Sequence, residues 1–194
     1  MTPTQIITAA RRKYNSVGDT FYADAEILDL LYQCELELAL AAFTIEATAT
    51  ASSTAGTQSY AYPTRCVALK RVTYNGQKLK KISFSEDDAL TFLNENDTTQ
   101  GTPLYYYEFN SYVYLRPIPD SIKTIKYFYY KEPTILTVSD TLETPTKFHM
   151  VLVDGIVAEM MLIGCVTNNN TLCNAKLPME WVENTRFFRN SWLS

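Results

Sequence analysis

The sequence predicts an α+β fold, in which an α-helical bundle carries an inserted antiparallel β domain. Residues 1–43 and 145–194 have apolar residues at helical spacing, and each segment predicts two helices of the bundle. Residues 44–144 are rich in aromatic residues and in turn signals, which predicts the β domain, with one short helix. A chain of 194 residues is long enough for one domain that carries such an insertion.

The N-terminal segment predicts a short helix and a long one. Thr2 suits the cap of a helix that runs from Pro3 to about Ser16. Asp24 suits the cap of a second helix from about Ala25 to Phe43. The apolar positions of this second helix recur every three or four residues, at Ile27, Leu28, Leu31, Cys34, Leu38 and Ala41.

The central segment predicts strands joined by turns. Residues 44–60 predict a strand, an exposed tip of small polar residues and a second strand. Asn75-Gly76 is a strong signal for a two-residue hairpin. Residues 104–130 predict three antiparallel strands, because aromatic runs alternate there with turn residues. A capping pattern predicts the short helix from Ser85 to Leu93.

The C-terminal segment predicts the other two helices of the bundle. Pro145 opens the first of them, and His149 belongs to its start. Its circumference is nearly all apolar through Ile163, which indicates a central helix packed on several sides, including against the long N-terminal helix. A last helix is predicted from Pro178 to Asn190.

Charge and hydropathy argue against several classes of protein. Seventeen basic and 21 acidic residues give a net charge of -4, which opposes a general electrostatic affinity for nucleic acid. The N-terminal residues do not form a signal peptide, so we expect synthesis in the cytoplasm. The most apolar stretch, Met150 to Val166, contains Asp154 and Glu159, and we therefore expect no contact with a membrane.

No catalytic constellation is evident in the sequence. The four cysteines are expected to be core residues, because none of their spacings is that of a metal site or redox pair: Cys34, Cys66, Cys165 and Cys173. The single histidine has no nucleophile motif to accompany it. We therefore expect no catalytic residue, no metal site and no cofactor.

Two charged groups of residues are candidate interaction sites. Six acidic residues meet no Lys or Arg between Phe21 and Ala47, which favours a surface that repels anions: Asp24, Glu26, Asp29, Glu35, Glu37 and Glu46. Six basic residues form a cluster without an acidic residue among them: Arg65, Lys70, Arg71, Lys78, Lys80 and Lys81. This basic patch is typical of a guarded sheet edge, a contact with an acidic neighbour or a nucleic-acid groove, and the first two are favoured. Pairing of the acidic helix with the basic patch between identical subunits would generate rings.

The order of elements resembles the head-to-tail adaptor proteins of tailed bacteriophages, including the tail tubular protein A type of short-tailed phages. Four passages carry the resemblance in their order and spacing: Tyr60-Ala61-Tyr62-Pro63, Val72-Thr73-Tyr74-Asn75-Gly76, Tyr112-Val113-Tyr114-Leu115-Arg116-Pro117-Ile118-Pro119 and Pro145-Thr146-Lys147-Phe148-His149. It extends over nearly the whole chain.

The resemblance implies a non-enzymatic protein in the neck or tail region of the virion, made in the cytoplasm of a bacterial host. It implies a ring of twelve subunits beneath the portal protein, which joins a tail or nozzle protein and lets double-stranded DNA pass without sequence specificity. Three acids are then candidates to face the DNA channel: Asp29, Glu35 and Glu37. The predicted tip is a candidate contact loop toward a neighbouring subunit or the portal: Ser52, Ser53, Thr54, Ala55 and Gly56. The basic patch is a candidate contact between subunits.

Two other functions remain open at this point. A carbohydrate-binding or receptor-binding β module of a phage particle would place its tyrosines on an exposed platform. A glycosidase would need a pair of carboxylates in a cleft, and no convincing pair is apparent in the sequence.

Overall fold

The computed structural model describes residues 1–18, 21–83, 85–86, 99–134 and 137–168. The chain divides into two compact units. The helical unit comprises Met1–Ile45 and Glu132–Ser194, and the β unit comprises Glu46–Lys131. The predicted helices at Ser85–Leu93 and Pro178–Asn190 lie outside the residues described in full.

Three helices build the described part of the helical unit: α1 (Pro3–Tyr14), α2 (Asp24–Ala42) and α3 (His149–Asn168). The predicted cap of α1 is confirmed, because Thr2 and Gln5 each accept a hydrogen bond from the other's backbone N–H. Asp24 is the first residue of α2 rather than its cap, and the Glu26 carboxylate accepts from the Ala23 N–H. A 3-10 turn at Thr146–Phe148 leads into α3, which begins at His149 rather than at Pro145, the predicted opening residue.

The core of the helical unit lies where α1 and α2 pack against α3. The expected contact between α2 and α3 is confirmed: Ile27 and Leu31 of α2 share one buried cluster with Leu152, Ile156 and Met160 of α3. Cys34 belongs to the same cluster, as predicted. Burial, with the nearby charges of Glu159 and Glu37, raises the pKa of its thiol to about 12.

The described residues of the β unit contain ten strands. In chain order they are β1 (Glu46–Ser52), β2 (Ser59–Ala61), β3 (Cys66–Tyr74), β4 (Gln77–Lys78), β5 (Lys80–Lys81), β6 (Gln100–Gly101), β7 (Tyr105–Phe109), β8 (Tyr112–Arg116), β9 (Ile118–Pro119) and β10 (Thr124–Lys131). The first sheet has the order β1-β10-β3-β4 and the second β2-β8-β7-β5, and β6 pairs with β9.

Local turn chemistry sets two of the hairpins. Asn75 and Gly76 both have positive φ and join β3 to β4, as the sequence predicts. Asn110 and Ser111 join β7 to β8. The three strands expected over residues 104–130 are present as β7, β8 and β10, and β10 lies in the first sheet between β1 and β3.

The core of the β unit is largely apolar and aromatic, with Val72, Leu115, Ile125 and Tyr127 among its members. One charged side chain, Arg116, is only 3% exposed. The Gln58 amide, oriented with its oxygen toward Arg116, accepts from the guanidinium at 3.0–3.3 Å. The Tyr107 ring centroid lies 6.0 Å from the guanidinium carbon.

The predicted fold class, an α-helical bundle with two N-terminal and two C-terminal helices, is wrong. The described residues form three helices, together with two four-stranded sheets. The apolar circumference of α3 suggested helices on several sides, but Met150 and Val151 at one end and Leu162 and Ile163 near the other are exposed among the described residues. The sheets are also not wholly antiparallel, since β5 pairs with β7, and β6 with β9, in parallel.

Candidate interaction surface

A shallow groove on the first sheet brings part of the basic patch together. The groove has a volume of about 560 Å³, and strands β1, β3, β4 and β10 all contribute to its lining. Its polar and aromatic lining residues are Glu46, Thr48, Lys70, Arg71, Lys78, Phe128 and Tyr129. We refer to it below as the basic groove.

Successive side chains of a strand point to opposite faces of the sheet, which explains why the groove is polar while the other face of the same sheet packs in the core. Ile125, Tyr127 and Tyr129 of β10 are buried, as are Val72 and Tyr74 beside them on β3, whereas Lys126 is exposed and Phe128 is half-buried. Thr48 and Thr50 of β1 are exposed beside β10, and the alanines between them are half-buried.

Aromatic rings and one carboxylate hold the cations of the groove in place. The Arg71 guanidinium lies 4.1 Å from the Phe128 ring centroid, and Lys126 Nζ lies 5.0 Å from the same centroid. Lys70 Nζ donates to Glu46 at 2.8 Å. This hydrogen bond is the main reason that the pKa of Lys70 is raised. Three cations and one carboxylate line the groove, which therefore has an excess of positive charge.

The structure divides the predicted basic patch between two sheets. Lys70, Arg71 and Lys78 line the basic groove on the first sheet. Lys80 and Lys81 form β5 at the edge of the second sheet, where Lys81 Nζ donates to Glu108 at 2.8 Å. All six residues of the patch are exposed, Arg65 included. The sequence suggested a patch without acids, but Glu46 and Glu108 pair with two of its members.

The predicted contact loop is only partly a loop. Ser52 is the last residue of β1, while Thr54, Ala55 and Gly56 are exposed. Ser53 is 1% exposed, so its placement in an exposed tip is wrong. Its Oγ accepts from the Lys123 N–H at 2.8 Å and lies 2.9 Å from the Ser121 carbonyl oxygen. β1 and β2 also lie in different sheets, so they do not form the expected projecting hairpin.

The three predicted channel acids separate into two environments. Asp29 and Glu37 are exposed on α2. Glu35 is 0% exposed, so its assignment to a channel-facing surface is wrong. Its position one helical turn after Leu31 explains the burial, because Ile27, Leu31 and Glu35 follow each other at four-residue steps along the buried side of α2.

A small polar network surrounds Glu35. Its Oε1 accepts from the Thr144 N–H at 3.0 Å and from the Thr144 Oγ1 at 2.7 Å. His149 Nε2 lies 2.9 Å from the Thr144 carbonyl oxygen, and it must donate because the carbonyl only accepts. Burial raises the pKa of Glu35, although the two hydrogen bonds from Thr144 oppose that rise.

Comparison with known protein families matches residues 1–170 to the SU10 adaptor protein family. The chain belongs to this family. Membership supports a structural, non-enzymatic role as a head-tail adaptor in a phage particle, in contact with other capsid or tail proteins. No curated protein matches the chain.

Two features of this SU10 adaptor were not predicted from the sequence. One is the Glu35 network, although the four-residue spacing from Ile27 and Leu31 was a usable signal. The other is the free edge of β1 beside the basic groove, which follows from a strand order that local sequence does not specify. Within the described ranges, this SU10 adaptor has no helix that is both long and apolar enough to cross a membrane.

Proposed function

We propose that the protein is a head-to-tail adaptor of the tail tubular protein A type, which assembles as a ring of twelve subunits between portal and tail. The match to the SU10 adaptor family over residues 1–170 carries this proposal. The exposed charges on the chain also support it. Acids on α2 and cations on the two sheets give one chain surfaces of opposite sign, which favours contact between identical subunits.

The ring is tested with the purified protein alone and with portal rings. Light scattering and negative-stain images should show a ring of about twelve subunits, formed either alone or on the portal. A protein that stays monomeric under both conditions contradicts the proposal. The resulting complex, mixed with tail or nozzle protein, should recruit that partner.

We further propose that double-stranded DNA passes through the ring and that Asp29 and Glu37 face the passage. Both carboxylates are exposed. Basic side chains bind DNA because they release the counterions of its phosphates, so a negatively charged wall would not retain the DNA. The buried Glu35 is not part of this surface.

Charge reversal tests the passage. Asp29→Lys and Glu37→Lys virions should assemble but eject DNA more slowly, most of all at low salt, because the new cations attract phosphate. Asp120→Lys is the matched control, since Asp120 is an exposed acid of the β unit. Wild-type ejection by the two α2 variants at every salt concentration places these acids elsewhere.

The carbohydrate-binding alternative finds less support in the burial of the tyrosines. A sugar platform needs exposed ring faces, whereas Tyr106, Tyr107, Tyr127 and Tyr129 are buried. Tyr107 and Tyr114 stack on each other, with ring centroids 4.9 Å apart. These aromatic residues pack the sheets, and we do not propose a sugar site.

A further inference from the structure

We propose that the basic groove binds the phosphate backbone of double-stranded DNA without reading its sequence. The inference rests on the proposed function in one respect, because a ring that lets DNA pass brings this ligand to the protein. It also divides the basic patch. The cations of the first sheet would bind DNA, while Lys80 and Lys81 on the second sheet stay available for contacts between subunits.

A bulge in β3 places two consecutive cations on the same face of the first sheet. Phe128 of β10 pairs with Arg71, and the next residue of β10 pairs with Leu69. Lys70 is therefore the extra residue of the bulge. In a regular strand Lys70 and Arg71 would point to opposite faces, but here both are exposed and both line the groove. The irregularity thus brings an additional cation to this face.

The register of the first sheet brings two lysines to the same face. Thr73 of β3 pairs with Lys126 on one side and with Lys78 on the other. Because directly paired residues share a face, these two lysines lie two strands apart, with about 10 Å between their Cα atoms. Arg71 precedes Thr73 by two residues on β3 and is exposed on that face as well. Four cations from three strands therefore converge there.

Protection of the sheet edge does not account for these cations. Of the four, only Lys78 lies on an edge strand, whereas the others lie on the inner strands β3 and β10. Within the described ranges, the salt bridge of Lys70 with Glu46 is the only one that any of the four forms. The net charge of -4 opposes general attraction to DNA, but salt screens distant charges beyond about 8 Å. The local excess of positive charge therefore decides what binds at this face.

The composition of the face favours DNA over a protein partner. Protein interfaces have an apolar or aromatic core and are depleted in lysine. Among the described residues of β1, β3, β4 and β10, no large apolar side chain is exposed. The cations have hydroxyl groups as neighbours instead, from Thr48 in the groove and from the exposed Thr50. Lysine, arginine and threonine side chains are usual contacts of DNA phosphates.

The aromatic rings of the groove favour a duplex over a single strand. Proteins that bind single strands stack the bases on accessible aromatic rings. The Phe128 ring is half-buried and already contacts the Arg71 guanidinium and Lys126 Nζ, at 4.1 and 5.0 Å from its centroid. Tyr129 is buried. The face therefore offers charge to the phosphates of a duplex, and no platform for bases.

The test uses full-length protein and a dye-labelled DNA duplex of mixed sequence. Fluorescence anisotropy at about 50 mM salt should show saturable binding that weakens steeply as salt rises, because the groove releases counterions from the phosphates. A duplex of unrelated sequence should bind equally well. Lysine acetylation, read by mass spectrometry, should show that the duplex protects Lys78 and Lys126. It should not protect Lys147, an exposed lysine of the helical unit.

Matched variants separate the groove from other exposed cations. Lys78→Ser and Lys126→Ser should each weaken duplex binding about threefold and reduce the slope of log Kd against log salt by about 1, because each removes one phosphate contact. Lys147→Ser should change neither quantity. Circular dichroism should show the same fold for all three variants, since each replaces an exposed side chain.

Contrary results identify a different ligand or no site. Equal weakening by Lys147→Ser means general attraction to basic residues and overturns the proposal. Tighter binding of a single-stranded oligonucleotide of equal charge identifies a single-strand groove instead. Displacement of the duplex by an equal concentration of oligoglutamate of equal charge identifies an acidic protein surface as the ligand. Absence of duplex binding at about 50 mM salt, with ring assembly on the portal intact, rejects this inference and leaves the proposed function standing. Duplex binding without ring assembly does the reverse.

Discussion

Each unit of the molecule buries one charged side chain within its described residues, and the two charges differ in kind. The helical unit buries the carboxyl group of Glu35 against Thr144, and the β unit buries the guanidinium of Arg116 near Gln58 and Tyr107. A carboxyl group can escape the cost of burial by taking up a proton, and burial raises the pKa of Glu35 accordingly. A guanidinium keeps its charge at any pH that proteins tolerate, so it cannot escape the cost of burial in this way. Between mildly acidic and neutral pH, protonation therefore acts on the Glu35 carboxyl group of the helical core, whereas the charge of the Arg116 side chain in the β core stays fixed.

The largest expected effect comes from placing an unpartnered charge in the helical core. Ile156 is 0% exposed among the apolar residues of α1, α2 and α3. Ile156→Asp should lower the free energy of unfolding by about 3–5 kcal/mol, because the new carboxylate has no equivalent of Thr144. Urea denaturation followed by circular dichroism at pH 7 measures the change.

Leu162→Asp is the control for Ile156→Asp, since Leu162 is 41% exposed on the same helix. Its effect should stay within about 0.5 kcal/mol. Similar losses for the two variants would contradict the assignment of the buried side of α3.

A smaller effect is expected when Arg116 loses a neutral acceptor. Gln58→Leu removes the amide oxygen that faces the guanidinium and should cost about 2 kcal/mol, because a hydrogen bond to a buried charge is lost. The loss should be the same at pH 4.5 and pH 8, since neither group titrates in that range. A loss that changes with pH would overturn the contrast between the two cores.

The smallest expected change is that of Glu35→Gln, and it alone should depend on pH. The Gln oxygen can accept both hydrogen bonds from Thr144, so packing is nearly unchanged. Because the pKa of Glu35 is raised in the folded protein, the folded state holds its proton more tightly than the unfolded state does. The free energy of unfolding of the wild type should therefore fall, relative to Glu35→Gln, as pH rises from the ordinary carboxyl range through the raised pKa.

Unfolding of both proteins at several pH values between about 4 and 8 measures this difference. Glu37→Gln is the control, because Glu37 is exposed on the same helix and should show no such trend. A difference between wild type and Glu35→Gln that stays constant with pH would mean that the Glu35 carboxyl group is not perturbed by folding.

Sequence patterns predicted those parts of the fold that depend on neighbouring residues. The cap at Thr2 and the turn at Asn75-Gly76 were both predicted, because each depends on contacts within a few residues.

Strand partners were not predictable in this way. β1 pairs with β10 and β2 with β8, although β1 and β2 are neighbours in sequence and were expected to form one hairpin. Because their partners are distant in sequence, no local turn signal identifies them. Burial of Ser53 and the free edge of β1 both depend on this long-range pairing. The candidate groove was predicted only as a list of cations, without the ring of Phe128 that Arg71 and Lys126 contact.

The chain forms part of the helical unit, then the whole β unit, and then the rest of the helical unit. This order has a consequence for folding during synthesis on the ribosome. The strands of the β unit are complete once Lys131 has left the exit tunnel, whereas α1 and α2 must wait for α3 before Ile6, Ile27 and Leu31 are covered. The helices translated before the β unit therefore mature after it. During that interval the nascent chain exposes two apolar helix faces beside a unit that can already fold. Chaperones should accordingly act on the first helices of this adaptor rather than on its strands.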